Sequence, residues 1–268
     1  MIISDRYEFS FVHIPKCAGT AVRNRLLPYD DLDGAHENRV GNHPVLGPTD
    51  YVHLPLATLR DHFPDKFDRV ERYWSFAVVR PPKSRFFSAV SQRLKMYRGT
   101  FLHALNEDQL VAEVEEVMAE LDRREGRLPP ELIHFQRQVD FVLLDGKQMV
   151  DSLYLTADIN SLLADVAQRV GVDTLPEPKN SGTHAENRSF VFKNNALRLA
   201  VEALRPAAKV IVSRLPDKAK KHLRSAVYAA PGDRFEAVAE RVGLDHFLTS
   251  YYAEDLTLVA KVKGERGS

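Results

Sequence analysis

From Glu8 to Ile14 (EFSFVHI) hydrophobic and polar positions alternate and aromatic and β-branched residues are concentrated. Pro15 and Gly19 then interrupt the pattern before Ala21 to Leu27 resumes with helical spacing. A strand, a tight loop and a helix are predicted in that order. Tyr73 to Val79 (YWSFAVV) is an unbroken apolar run suited to a strand buried on both faces, and Pro81 and Pro82 end it. Lys83 to Tyr97 then places Phe86, Phe87, Val90 and Leu94 on one stripe, with a proline tolerated just before the first turn. A second strand–turn–helix unit is therefore predicted.

Between these units, Tyr51-Val52-His53 is expected as a short strand ending at Pro55. The polar stretch from Asp30 to Asp50, with Gly34, Gly41 and Gly47, is expected as a long loop of the kind that borders active sites. Asn106 to Arg124 is predicted as an amphipathic helix, with Leu110, Val114, Val117 and Leu121 on its apolar face. Val150 to Leu155 is predicted as a strand, followed by a helix capped by Asp158, running through Val170 and stopped by Gly171. Thr174 to Ser189 is polar and turn-rich, after which Asn194 to Tyr228 and Phe235 to Val262 are expected to be mostly helical. Strands alternating with helices predict an α/β fold with a parallel sheet flanked by helices, a helical C-terminal part, and ligands bound outside the carboxyl ends of the strands.

The 268 residues, 44% hydrophobic and 28% charged, fit one globular domain over 1–268 and disfavour fibrous and disordered classes. Lys+Arg and Asp+Glu number 37 each, so no global field favours nucleic acid and any anion site must be local. The single cysteine, Cys17, can form neither an intramolecular disulfide nor a cysteine-based zinc site, so a reducing, cytoplasmic setting is expected. Charges in Met1 to Glu8 argue against a signal peptide, and no run approaches the roughly 20 apolar residues of a membrane span. Charge is nonetheless uneven: Arg205 to Arg224 is strongly basic with Asp217 its one acidic residue. That segment is either a solvated helix face or a peripheral contact for an anionic glycan or lipid surface.

Two segments carry candidate chemistry. Pro15-Lys16-Cys17-Ala18-Gly19-Thr20-Ala21 lies between a predicted strand and helix, where free backbone N–H groups and the positive helix end favour an anion, and Lys16 and Thr20 add a charge and a hydroxyl. It is not a Walker A loop, because Lys16 precedes Gly19. In the second unit, Arg80 ends the strand and Ser88 sits inside the helix, so both can converge on a second phosphate at the same sheet edge. Histidine and carboxylate spacings show no H-E-x-x-H or comparable metal-ligand set, and no metal is expected.

Taken together, Phe11 to Leu26 (FVHIPKCAGTAVRNRL) and Phe76 to Ala89 (FAVVRPPKSRFFSA) resemble the sulfotransferase superfamily, in particular the carbohydrate sulfotransferases related to heparan sulfate 2-O-sulfotransferase. Weaker similarity runs through Gln136 to Phe141, Val150 to Gly171, Asn180-Ser181 and Tyr252 to Leu256. The resemblance implies a P-loop-like fold that uses 3′-phosphoadenosine-5′-phosphosulfate (PAPS) and releases adenosine 3′,5′-bisphosphate. It puts Lys16, Cys17, Ala18, Gly19, Thr20 and Ala21 at the 5′-phosphosulfate and Arg80 and Ser88 at the 3′-phosphate. Ala21 stands where the family usually has a hydroxyl residue, and Pro81 where it usually has Asn or Asp; Ala21 retains its backbone N–H.

The segment Tyr51 to Leu56 looks like the one that carries the histidine base of these enzymes, which makes His53 the candidate, with His36 and His43 as substitutes. His13 belongs to the family pattern as a packing or orienting residue, and Cys17 as a loop filler. The implied reaction is sulfuryl transfer to a hydroxyl of a glycan, glycolipid or other glycoconjugate, with Lys16 stabilising the leaving phosphate. Two other classes stand beside it: a kinase with a degenerate P-loop, although YWSFAVV ends in Arg80 and not a Walker B aspartate, and a non-catalytic module for a bisphosphonucleotide or anionic polymer. The acceptor's identity and the oligomeric state are not encoded in any readable motif.

Overall fold

The computed structural model describes residues 1–32, 34, 40–177, 191–192, 228–229 and 231–266. Its main sheet has the order β1 (Ile2–Ser4), β2 (Phe9–Val12), β5 (Trp74–Val79), β8 (Ser152–Leu155), and the short strands β6 (Leu143–Leu144) and β7 (Lys147–Gln148) pair with each other apart from it. β1 runs antiparallel to β2 at the edge, while β2, β5 and β8 are parallel, with Phe9 beside Trp74 and Phe76 beside Ser152. Every residue of β2, and all of β5 after Trp74, is buried, as the unbroken apolar runs require of strands covered on both faces. The parallel sheet flanked by helices is the predicted architecture, and β1 is an edge strand that the sequence pattern did not reveal.

Each parallel strand feeds a helix: β2 leads to α1 (Gly19–Leu26), β5 to α4 (Pro82–Tyr97) and β8 to α6 (Ile159–Val170). Between α1 and β5 lie α2 (Leu56–His62) and α3 (Pro64–Arg72). α4 opens with Pro82 in its first turn, where the missing N–H costs nothing, and α6 stops at Gly171, whose φ of 73° only glycine adopts readily. α5 (Glu107–Asp122) starts with a reciprocal cap: the Asn106 side chain accepts from the Gln109 N–H and Gln109 accepts from the Asn106 N–H. The C-terminal part comprises α7 (Pro231–Arg241), α8 (Leu244–Tyr251) and α9 (Ala253–Arg266), separated at Gly243, which has φ 63°.

Three expectations are corrected. Asp30 to Asp50 is not a plain loop, because β3 (Val40–His43) and β4 (Gly47–Asp50) pair as an antiparallel hairpin. Its turn is closed by Gly47 at φ 65° and by His43 Nδ1, which accepts from the Val45 and Leu46 N–H groups. Tyr51 to His53 is a turn and not a strand: the Asp50 side chain accepts the Val52 N–H at 3.0 Å and the Asp50 carbonyl accepts the His53 N–H at 3.3 Å, so a local aspartate turn outcompetes extension. Tyr228, placed in a helix by pattern, pairs in a short strand, Tyr228–Ala229, with Val191–Phe192. Residues 194–227 of the predicted Asn194–Tyr228 helix, with the basic segment Arg205 to Arg224, and Asn180-Ser181 and His36 lie outside the described residues.

Two hydrophobic clusters form the interior. One joins the sheet to α1, α2, α3, α6 and α9 through residues such as Val22, Leu59, Val70, Val166 and Val259. The other joins α4, α5, α7 and α8 through Phe86, Val90, Val114, Val238 and Phe247. α4 gives its apolar stripe to the second cluster. Its Ser84, Ser88 and Gln92, four residues apart, share a different, polar stripe. Among the described residues no helix is long and apolar enough to cross a membrane.

Candidate functional site

Because β2 and β5 are parallel neighbours, the loops that follow them leave the same edge of the sheet side by side. In the first loop Lys16 (φ 63°) and Ala18 (φ 58°) both occupy the left-handed region, which costs a non-glycine residue of order 1 kcal/mol. Such residues on either side of Cys17 curl the backbone into the kind of turn whose N–H groups gather around an anion. Ala18 and Thr20 are exposed and Lys16 is half-buried. The Ala21 N–H is already engaged, donating to the Ala18 carbonyl at 3.0 Å.

The loop is held from beneath. A Cβ added at Gly19 would fall on the His13 imidazole, so glycine is required there by close approach. Cys17 turns inward, its Sγ 3.3 Å from Gln138 Oε1 and 3.5 Å from the Pro15 carbonyl. Burial pushes its thiol up to about 12, which leaves it protonated and unreactive near neutral pH.

The polar stripe of α4 links the two loops. Lys16 Nζ donates to Gln92 Oε1 at 3.1 Å, and Arg80 Nε donates to Ser84 Oγ at 3.0 Å, with Ser88 between them along the helix. Arg80 Nη1 also donates to the Lys16 carbonyl at 3.3 Å. Burial pulls the Arg80 guanidinium below its ordinary value and the like charge of Arg85 adds to this; among the described residues no carboxylate pairs with Arg80. Lys83, in contrast, turns away to Glu236 and Asp245 at the C-terminal helices.

Behind the loops lies a buried hydrogen-bonded group that sequence reasoning missed. The Gln138 amide brackets Arg80, accepting its N–H at 2.9 Å and donating to its carbonyl at 3.0 Å. Asp255 of α9 in turn accepts from the Gln138 N–H and side chain and from the Val139 N–H, and lies 3.5 Å from the Arg85 guanidinium. Burial raises the Asp255 carboxyl, opposed by Arg85 and by these donors. Arg85 packs over the Tyr252 ring, whose hydroxyl donates to the Phe135 carbonyl at 2.6 Å. The only signal for Gln138 and Asp255 in the sequence was that both fall in the short outlying segments of weaker similarity.

His53 lies below the first loop, buried, with its Nδ1 3.1 Å from Asp50 Oδ2. Its ring meets that of His13 at 4.7 Å and that of His134 at 5.4 Å. Desolvation, reinforced by His53, lowers His13 well below the ordinary histidine value, so it stays neutral. His43 does not join this group: its Nδ1 is spent on the hairpin turn and its ring packs near Phe63. Asp50 and His134 were not singled out from sequence. Asp50, three residues before His53, was legible as a candidate orienting carboxylate, whereas nothing local marked His134.

The site therefore combines a curled loop with a lysine, a half-buried arginine that has no carboxylate partner among the described residues, and an imidazole oriented by a carboxylate. A model of the sulfotransferase family matches residues 1–226, and no match is found among curated proteins or solved structures. Tyr252 and Asp255 reach the loops from beyond the matched range.

Proposed function

The chain belongs to the sulfotransferase family, and from that premise we propose that it transfers a sulfuryl group from PAPS to a hydroxyl of a carbohydrate or glycoconjugate. Arg80 carries the proposal. A half-buried cation that is paired, among the described residues, only with neutral groups at the carboxyl edge of a parallel sheet gains most from an anionic ligand, since burying an uncompensated charge is costly. Lys16 anchors the opposite end of the same α4 stripe, so this sheet edge offers two separate cations, which suits a nucleotide bearing phosphate at both its 3′ and 5′ positions.

In this scheme Arg80 and Ser88 hold the 3′-phosphate, and Lys16, Cys17, Ala18, Gly19 and Thr20 surround the 5′-phosphosulfate through backbone, ammonium and hydroxyl groups. When bound, the donor supplies a sulfuryl group on a phosphate leaving group, and in-line transfer releases adenosine 3′,5′-bisphosphate. An ionised Asp50 can only accept a hydrogen bond, so it fixes the His53 proton on Nδ1 and leaves Nε2 to take the proton of the acceptor hydroxyl. Lys16 stabilises negative charge that grows beside the loop as transfer proceeds.

Incubation with sulfur-labelled PAPS and a panel of glycans, glycolipids and small alcohols tests this. Label is expected in one class of hydroxyl acceptor and is expected to be lost in Lys16→Ala. Transfer of label that persists unchanged in a folded Lys16→Ala protein would remove the loop from the mechanism.

A further inference from the structure

Asp50, His53 and His134 each bring one ligand-capable atom to within 4.8 Å of the others. Asp50 ends β4, His53 lies in the turn that follows and His134 in the short helical turn Ile133–Phe135; they are 3%, 7% and 1% exposed. We propose that these three side chains form a binding site for a divalent ion of the zinc, cobalt or nickel class, which replaces the hydrogen bond between His53 and Asp50.

The donor set selects the class. Two imidazoles and one carboxylate suit borderline transition ions, whereas magnesium and calcium favour oxygen ligands throughout. The spacing is close to what such an ion needs. With metal–ligand bonds of about 2.0–2.2 Å, tetrahedral ligand atoms stand roughly 3.3–3.5 Å apart. His53 Nδ1 and Asp50 Oδ2 are already 3.1 Å apart, and His134 brings its ligand atom within 4.8 Å of the other two residues, so side-chain rotation is what closure requires. Charge also fits, since a divalent ion compensates a carboxylate that is almost wholly removed from water. A further nitrogen adjoins the cluster: His13 Nδ1 is buried with no hydrogen-bond partner among the described residues, on a ring 4.7 Å from that of His53.

Occupancy has a chemical consequence that rests on the proposed function. A neutral imidazole carries one N–H. If the metal takes Nδ1 of His53, that proton moves to Nε2, the nitrogen the base must keep free. The ion would therefore block proton removal from the acceptor while leaving the nucleotide loops untouched.

The untagged full chain, stripped of metal with a chelator, is titrated with cobalt(II) and followed by its visible d–d absorption. A saturable signal at one ion per chain, displaced by zinc, is expected. Asp50→Asn and His134→Gln should each weaken it by at least about tenfold while retaining binding of adenosine 3′,5′-bisphosphate as a check on folding. Absence of a saturable spectrum from the unaltered chain, or equal affinity in His134→Gln, overturns the site. Turnover with and without zinc is read separately. Ion binding without loss of turnover keeps the site and removes His53 as the base; no ion binding together with an inactive His53→Ala keeps the base and removes the site.

Discussion

Arg80 and Arg93 belong to the same strand–helix unit, and their surroundings differ in kind. Arg93, buried in the second hydrophobic cluster, is met by Glu113, Glu116 and Glu131. Burial opposes its charge, but Glu116 and Glu113 outweigh that and hold the guanidinium above its ordinary value. Arg80, at the sheet edge, has a serine hydroxyl and a backbone carbonyl as partners and is pulled below its ordinary value. Arg85, between them, sits with Asp255 and completes the wall behind the loop. A cation whose countercharge is built into the fold serves the fold; one left with neutral partners at the ligand edge is poised for an anion that arrives from outside.

The largest effect is expected where the ligand edge meets the chemistry. His53→Ala should lower turnover by about 10²–10⁴-fold, the usual loss of a general base, without changing nucleotide affinity. Steady-state rates together with calorimetry check this; near-normal turnover would move the base to another residue. Arg93 sharpens the contrast from the structural side. Arg93→Ala takes from buried Glu113 its nearer partner, leaving it Arg98 at 3.4 Å, and should cost about 3 kcal/mol in denaturant unfolding, while any folded fraction keeps its nucleotide preference. A change of nucleotide preference in that variant would erase the distinction between the two arginines.

Lys16→Ala should reduce turnover by about 10²–10³-fold with a smaller loss in binding of the sulfate-free product, because in the proposed reaction the ammonium acts on charge that develops only during transfer. Single-turnover rates and product affinities separate the two. Lys16→Arg should recover little, since a wide planar guanidinium is a poor substitute for a compact ammonium in a tight loop.

The parts of this contrast that were legible in the sequence are those written in local periodicity. β2, β5 and α4 follow from apolar runs and a helical stripe ended by proline, and Lys16, Arg80 and Ser88 were marked by their places at strand ends and in the first helical turns. The hairpin was not legible, because VGNH and GPTD carry one β-branched residue each among glycine, proline and polar residues, and its pairing depends on a glycine turn and a histidine–backbone contact. The left-handed backbone at Lys16 and Ala18 was hidden too, since neither residue is a glycine and the packing of His13 and Cys17 beneath imposes it. Gln138 meets Asp255 across 117 positions and His134 reaches His53 through tertiary packing alone, so no spacing rule could have assembled them.

The central claim is that Arg80 is the fold's open cation for a 3′-phosphate, and calorimetry with two nucleotides tests it most directly. The unaltered protein should bind adenosine 3′,5′-bisphosphate more tightly than 5′-AMP by about 1.5–3 kcal/mol, roughly tenfold to over a hundredfold, and Arg80→Ala should bind the two alike with little change in stability. Equal affinity of the unaltered protein for both nucleotides, or a preference that survives in Arg80→Ala, would contradict it.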